Sequence, residues 1–211
     1  TYTDATLVYE YKKSKTKKYS LTGLYSIDEL KFVLDMPVGN DPSTRGDFRN
    51  ETGFHRIIGR FDHELSKKEK YFYSLAVGGD QIFFKINDQF LDVDSRNYTL
   101  RSEYQTKGKS WTNYFGLDWS YEDYDVGINL PFFDSDNGGV NNPFSLGDNR
   151  EGRREGDWYE LGFYSRHNYR LNQEGNWVFT PALRVDYYSA TEKGETFLNK
   201  VLWQPRFSMK Y

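Results

Sequence analysis

Apolar and polar residues alternate along most of this chain with a period of two residues. In residues 111–122, for example, Phe115, Leu117, Trp119 and Tyr121 alternate with polar residues or glycine. The same pattern recurs in 54–65, 98–105, 159–170, 179–187 and 200–211. No stretch of useful length has the 3.6-residue period of a helix. The pattern therefore predicts an all-β protein with about nine strands.

Two kinds of connection separate the predicted strands. Short, charged turns are predicted at 14–18, 67–70, 106–109 and 172–176, and long connections at 38–53, 78–96, 132–156 and, more modestly, 189–196. Short turns at one end and long loops at the other are typical of an up-and-down outer-membrane barrel, whose short turns are periplasmic. In residues 19–36 the apolar residues change from odd to even positions between Ile27 and Leu30. This change predicts a bulge or an extra turn at Asp28 and Glu29.

The composition narrows the choice between barrel and sandwich. Aromatic residues make up 18% of the chain and all hydrophobic residues 37%, so aliphatic residues are sparse. Rings cluster near predicted strand ends, as at Tyr9, Tyr11, Tyr71 and Tyr73, and rings with one polar atom settle at a bilayer interface. A soluble β-sandwich remains the alternative, although its buried face usually carries more Val and Ile.

Charge and cysteine content exclude several other classes. The net charge of -3 argues against a nucleic-acid-binding protein. The sequence has no cysteine, which excludes disulfide scaffolds, thiolate metal sites and cysteine nucleophiles. No apolar run approaches the roughly 20 residues of a membrane-spanning helix.

We therefore predict an antiparallel up-and-down transmembrane β-barrel, or a contiguous arc of a larger one, in the bacterial outer membrane. The residues predicted to face lipid are Phe61, Leu117, Trp119, Phe163, Leu183, Trp203 and Phe207. The residues predicted to face the lumen are Arg56, Arg60, Asp62, Arg101, Glu103, Asp118, Arg184, Asp186 and Arg206. The residues predicted to face the lumen carry both positive and negative charges, whereas the wall of a selective anion pore would carry charges of one sign.

Three segments resemble a known family. They are Arg101-Ser-Glu-Tyr, the stretch 111–121 with Gly116-Leu-Asp-Trp, and above all Leu202-Trp-Gln-Pro-Arg-Phe-Ser-Met-Lys-Tyr211. These segments look like barrel strands of TonB-dependent outer-membrane receptors, in which a Pro-Arg pair commonly opens a strand. The resemblance covers roughly the last half of the chain. It implies a receptor or transporter that takes up a ligand, with a TonB-type energising machinery as partner.

The length leaves two interpretations open. We interpret residues 1–211 as a single barrel region without a plug domain or a TonB-contacting segment. A barrel of about 22 strands needs more than twice this length, and nine is an odd number of strands, so the family resemblance implies an incomplete barrel. Alternatively, Phe207, Met209 and Tyr211 look like the C-terminal assembly signal of a complete, small structural or assembly-associated barrel of about eight or ten strands.

The predicted loop 132–156 contains the candidate binding residues. Asp134, Asp136 and Asn137 offer oxygen ligands at close spacing before Gly138 and Gly139, a partial match to a Ca²⁺ loop. A calcium-binding glutamate at the expected spacing is missing, and a solvated turn is the simpler interpretation. Ca²⁺ is the sole cofactor that the sequence suggests.

The end of this predicted loop is rich in arginine. Arg150, Arg153 and Arg154 could hold an anionic ligand or a lipopolysaccharide phosphate through bidentate contacts. The alternative is a solvated segment of mixed charge.

The sequence contains little that suggests catalysis. His63 has Asp62 and Glu64 beside it, but neighbours on one strand point to opposite faces and form no dyad. No nucleophile elbow or zinc-binding helix motif is present, so we do not expect an enzyme. The expected partners are outer-membrane lipids, lipopolysaccharide and other membrane proteins, without nucleic acid.

Overall fold

The protein consists of nine long β-strands in a computed structural model that describes residues 1–34, 46–131, 149–171 and 177–211. The strands are β1 (Tyr2–Lys12), β2 (Lys17–Leu34), β3 (Gly46–Ser66), β4 (Glu69–Ile86), β5 (Gln89–Lys107), β6 (Trp111–Pro131), β7 (Asn149–Arg170), β8 (Val178–Glu192) and β9 (Glu195–Lys210). No helix among the described residues is long and apolar enough to cross a membrane.

All nine strands belong to one sheet, in which each strand pairs antiparallel with the next along the chain, from β1 to β9. This topology confirms the predicted up-and-down architecture. The described strands form no second sheet, so nothing covers the apolar side chains as the opposite sheet of a sandwich would. Phe207, for example, is 84% exposed.

The strand pairing assigns every side chain to one of two faces, because directly paired residues share a face. We define the inner face as the one that carries Arg184, Asp118 and Tyr164. On this face Arg184 reaches Asp118 across β7, and Tyr164 reaches Glu103 across β6. Such long-range contacts are expected on the concave side of a curved sheet. The outer face is the opposite one. All seven residues predicted to meet lipid lie on the outer face, and all nine predicted to face the lumen lie on the inner face.

Two belts of rings cross the outer face. The first belt contains Tyr11, Tyr19, Phe61, Tyr73 and Phe115, with ring centroids 4.7 Å apart for Tyr19 and Phe61. The second belt contains Tyr98, Tyr121, Tyr159 and Tyr187, with centroids 6.1 Å apart for Tyr98 and Tyr121. Leucine, valine and phenylalanine lie between the belts. This is the arrangement of an outer-membrane barrel wall, with its lipid-facing apolar band between two aromatic girdles.

The strands project unequally beyond the two belts. Near the first belt they end within about five residues, at short turns such as 13–16 and 67–68. Beyond the second belt, β5, β6 and β7 continue for about ten residues. Because outer-membrane barrels have short periplasmic turns and long external extensions, the first belt lies on the periplasmic side.

The structure corrects the predicted lengths of the external loops. Residues 78–96 are no long loop, because β4 and β5 continue to a turn at Asn87 and Asp88. Residues 189–192 belong to β8, and the turn is formed by Lys193 and Gly194, both at positive φ. β3 begins at Gly46, and β7 begins at Asn149, inside the predicted loop 132–156. The predicted loops were too long because glycine and polar residues inside strands were interpreted as turns.

The predicted bulge at Asp28 and Glu29 is also wrong. β2 passes through both residues in regular register, with Asp28 opposite Thr52 and Glu29 opposite Glu51. The apolar residues change from odd to even positions because, beyond the second belt, they lie on the inner face instead of the outer face. Ile82, Phe84, Val93 and other apolar residues lie there on the inner face, while acidic residues lie on the outer face, where water replaces lipid.

Candidate functional site

A cluster of charged side chains lies on the inner face at membrane depth. The Arg184 guanidinium lies 2.5 Å from Asp118, 3.3 Å from Glu160 and 3.0 Å from Asp186. Asp186 is fully buried, and it also accepts a hydrogen bond of 2.8 Å from the Gln204 amide. Arg184 therefore contacts three carboxylates from β6, β7 and β8, which ties the three strands together on the lumenal side, and Arg101 on β5 adds a second cation 3.5 Å from Asp118.

Glycine at the right place in β7 makes this cluster sterically feasible. Arg184 on β8 reaches Asp118 on β6 by crossing β7 over Gly162. A Cβ atom on Gly162 would lie 2.4 Å from the Asp186 carboxylate and 2.5 Å from the guanidinium. In the same way, Tyr164 lies over Gly116, where a Cβ atom would be 2.0 Å from the ring, and donates a hydrogen bond of 2.7 Å to Glu103.

We expect Gly162→Val to destabilise the protein by about 1–3 kcal/mol, because the new side chain overpacks the space that Arg184 and Asp186 occupy. Urea unfolding in liposomes measures the loss. Gly59→Val is the matched control, since a Cβ atom on Gly59 meets nothing within 4 Å. Equal stability of the two variants would mean that the cluster does not need the open space over β7.

A pocket opens on the inner face just beyond the second belt. Its volume is about 500 Å³, and its lining includes Ile82, Val93, Val126 and Trp158 together with Asp80 and Glu122. Asp80 is fixed by the Arg56 guanidinium at 2.6 Å and the Asn97 amide at 3.0 Å. We call this the inner-wall pocket. Sequence reasoning missed it, because its residues come from β4 to β7 and converge only through the strand register.

Two of the three arginines predicted to bind an anion, Arg153 and Arg154, do not converge. Arg150, Arg153 and Arg154 lie in strand β7 and not in a loop. Arg153 is on the outer face, where its Nε donates to both carboxylate oxygens of Asp125, at 2.8 and 2.9 Å, and its Nη2 donates to one of them. Arg154 is on the inner face, 3.5 Å from Glu192. Because Arg153 and Arg154 point to opposite faces and each has a carboxylate partner, they do not share one ligand in this geometry.

The candidate calcium ligands Asp134, Asp136 and Asn137 lie outside the described residues. Within the described ranges, no group of three or more His, Asp or Glu side chains is arranged to hold a metal ion. Among the histidines, His63 lies beside the first belt, with Nδ1 3.1 Å from the Tyr71 hydroxyl. This is the position of an interfacial histidine.

The external extension carries an acidic surface on its outer face. Burial and the neighbouring charges of Asp94 and Asp125 raise the pKa of Asp92, and Arg153 offsets part of this effect. A raised carboxyl pKa means that the folded state binds the proton more tightly than the unfolded state. The contribution of Asp92 to stability is therefore full below its ordinary pKa of about 3.9 and is lost as the pH rises through the raised value.

We expect Asp92→Asn to slow hydrogen exchange in the β5–β6 hairpin at pH 7, where the native side chain is ionised and repelled. The difference between variant and native protein should shrink as the pH falls towards 4, after correction for intrinsic exchange rates. A difference that is constant from pH 7 to 4 would contradict the role of ionisation.

Comparison with known proteins identifies the fold. No protein-family pattern matches the sequence, and no curated protein matches it. Among solved structures, FpvA from P. aeruginosa bound to heterologous pyoverdines matches with a TM-score of 0.69 at 12% identity, over 99% of this chain and 33% of FpvA. The ferric preacinetobactin receptor BauA from Acinetobacter baumannii gives 0.65 at 8% identity, over 97% and 36% of the two chains.

This chain has the fold of an arc of an outer-membrane receptor barrel. The ferric-catecholate import receptor Fiu from E. coli matches similarly, with a TM-score of 0.66 at 7% identity over 99% of this chain and 40% of Fiu. The chain thus spans about a third of the length of these structures. The resemblance to TonB-dependent receptors that three sequence segments suggested is confirmed at the level of the fold.

Proposed function

We propose that this arc is part of the wall of an outer-membrane receptor that takes up a small ligand. The observation that carries the proposal is the inner-wall pocket, which lies on the inner face where the barrel opens to the outside. Its volume of about 500 Å³ is within the range typical of small-molecule sites.

The lining of the pocket suits an amphipathic ligand. Ile82, Val93, Val126 and Trp158 provide an apolar floor, since the apolar side chains change from the outer to the inner face at this height. The fixed carboxylate of Asp80 supplies a polar contact that could orient a bound molecule.

The compared proteins suggest which ligands to test first. BauA is a receptor for ferric preacinetobactin, Fiu is an import receptor for ferric catecholates, and FpvA was solved with bound pyoverdines. Ferric chelates are therefore the first ligand class we propose for this chain. We propose the TonB-type energising machinery as the partner that drives uptake and lipopolysaccharide as the lipid around the external extension.

We expect Ile82→Ser to reduce uptake of the matching ferric chelate at least ~10-fold, because the floor of the pocket loses apolar contact worth on the order of 1.4 kcal/mol or more. Cells that express the complete polypeptide would be given a panel of ⁵⁵Fe-loaded hydroxamate, catecholate and citrate chelates. Gln81→Ser is the matched control, because Gln81 is the next residue on the same strand and faces outward. Equal uptake by the two variants would remove the pocket from the mechanism.

The loop 132–156 is a second candidate for ligand specificity. Its boundaries need correction, because β6 and β7 pair as far as Pro131 and Asn149. Deletion of residues 134–147 is therefore expected to abolish uptake while the barrel still folds and remains heat-modifiable. Unchanged uptake in the folded deletion variant would exclude the loop from ligand recognition, and a Ca²⁺ ion at Asp134, Asp136 and Asn137 would then have no role in uptake.

The alternative of a small structural or assembly-associated barrel has less support. A closed barrel of this size would pair its first and last strands, whereas the sheet here runs from β1 to β9 as an open order. Free strand edges are not tolerated in the hydrocarbon region, so both edges need further strands as partners.

A further inference from the structure

The periplasmic end of the sheet is unusually rich in lysine. Ten of the fifteen lysines in the chain lie in three segments, 12–18, 67–70 and 107–109. These segments form or flank the turns β1–β2, β3–β4 and β5–β6, all at the end of the sheet next to the first belt. We call this surface the basic rim.

Few carboxylates neutralise the basic rim. Lys18 pairs with Glu10, and Lys70 pairs with Glu64. Glu69 accepts hydrogen bonds from Ser66 and Tyr104 instead. The other eight lysines have no ion pair among the described residues, and seven of these eight are exposed. The rim therefore carries a strong net positive charge in water.

The basic rim lies at a defined depth in the membrane. Lys12 directly follows Tyr11 of the first belt, and Lys18 directly precedes Tyr19. Since a strand rises about 3.3 Å per residue, these ammonium groups lie within roughly 10 Å of the belt. Tyrosine rings settle at the boundary between hydrocarbon and headgroups, so this end of the sheet lies at the depth of the headgroup phosphates. Lys12 and Lys18 belong to the inner face, so the lysines that meet the headgroups are those of the turns, such as Lys13, Lys15, Lys67 and Lys68.

The opposite end of the sheet has the opposite charge. Just beyond the second belt, the outer face carries Asp92, Asp94, Asp123 and Asp125. The lysines are therefore concentrated at one membrane surface. Exposed turns in this chain are not lysine-rich in general.

We propose that the basic rim binds the headgroups of anionic phospholipids in the periplasmic leaflet of the outer membrane. Three successive hairpins place the lysines along a line at one depth, which fits a row of headgroups better than a single compact partner. Lysine is a flexible point charge, which suits mobile headgroups.

The test compares two variants with equal loss of charge. The first changes Lys13, Lys15, Lys67 and Lys68 to Gln in the basic rim. The control changes Lys31, Lys85, Lys193 and Lys200 to Gln at the other end, where all four are also exposed. The complete polypeptide would be reconstituted in phosphatidylcholine bilayers with spin-labelled phosphatidylglycerol, and the association constant relative to labelled phosphatidylcholine would be measured.

We expect the native protein and the control to have an association constant for phosphatidylglycerol ~5-fold or more above that for phosphatidylcholine. A single lysine near an anionic surface contributes about this factor to binding. The rim variant should lose most of the preference, and 0.5 M NaCl should weaken it in the native protein. Replacing the same four lysines by arginine should restore the preference, which separates a loss of charge from a folding defect.

Three results would overturn the proposal: no preference in the native protein, an equal preference in the rim variant, or an equal loss in the control. Binding of an acidic periplasmic protein that depends on the rim, together with unchanged lipid preference, would also overturn it in favour of a protein partner. None of these results depends on ligand uptake, so the proposed function is tested separately.

Discussion

Leu75→Arg is expected to destabilise the membrane-inserted protein by about 2–4 kcal/mol, the cost of an arginine on the lipid face near the bilayer midplane. Leu75 lies on the outer face between the two belts, is 50% exposed, and pairs with Gly59 and Leu100. In the barrel this exposed surface contacts lipid chains, so a guanidinium there loses its hydration. Urea unfolding in liposomes measures the change in the free energy of unfolding.

Thr99→Arg is the matched control for this substitution. Thr99 is next to Leu100 on β5, but its side chain points to the inner face and is exposed there. The same arginine should cost less than about 1 kcal/mol in a wet lumen, as is usual for substitutions at solvated positions. Equal destabilisation by both variants would contradict the assignment of the outer face to lipid.

The second large effect is expected for Arg184→Met. This change leaves Asp118, Glu160 and the fully buried Asp186 without their shared cation. Breaking a buried ion pair from one side typically costs about 3–5 kcal/mol, and the partly open position of Arg184 argues for the lower end. We therefore expect a loss of about 3 kcal/mol in the free energy of unfolding.

Two further variants show whether charge is the cause. Arg206→Met removes an exposed inner-face arginine whose guanidinium donates a hydrogen bond to Gln204, and it should have little effect. Adding Asp118→Asn and Asp186→Asn to Arg184→Met should recover part of the stability, because the uncompensated carboxylates are removed. No recovery would indicate that Arg184 acts through packing.

The sequence predicted the strands and their faces well where the chain crosses the membrane. There, lipid requires apolar side chains at every second position, so Leu117, Trp119 and Phe163 give a regular signal. This alternation of apolar and polar residues fails as a signal in the external extension. Water covers the outer face there, so the alternation reverses or disappears. Gly78 and Gly79 illustrate the error: they suggested a loop, but they are buried inside β4, where a Cβ atom on Gly78 would lie 2.0 Å from the His55 carbonyl oxygen.

The candidate site was harder to predict than the fold. The inner-wall pocket depends on the register of four strands, which pairs Ile82 with Val93 and Val93 with Val126. No single segment of the sequence contains this information. Arg153 and Arg154 of β7 show the opposite case, since their closeness in sequence suggested a shared site, whereas adjacent strand residues point to opposite faces.

The most direct test of the account is the environment of consecutive side chains along β5. The chain has no cysteine, so single cysteines can be placed at each position from 98 to 105 and spin-labelled in the complete, liposome-reconstituted polypeptide. The account predicts that labels at even positions such as Leu100 and Ser102 are accessible to oxygen dissolved in lipid, and that labels at Thr99, Arg101 and Glu103 are accessible to a water-soluble nickel chelate. Accessibility to the nickel chelate at every position, without alternation, would contradict a lipid-facing outer face.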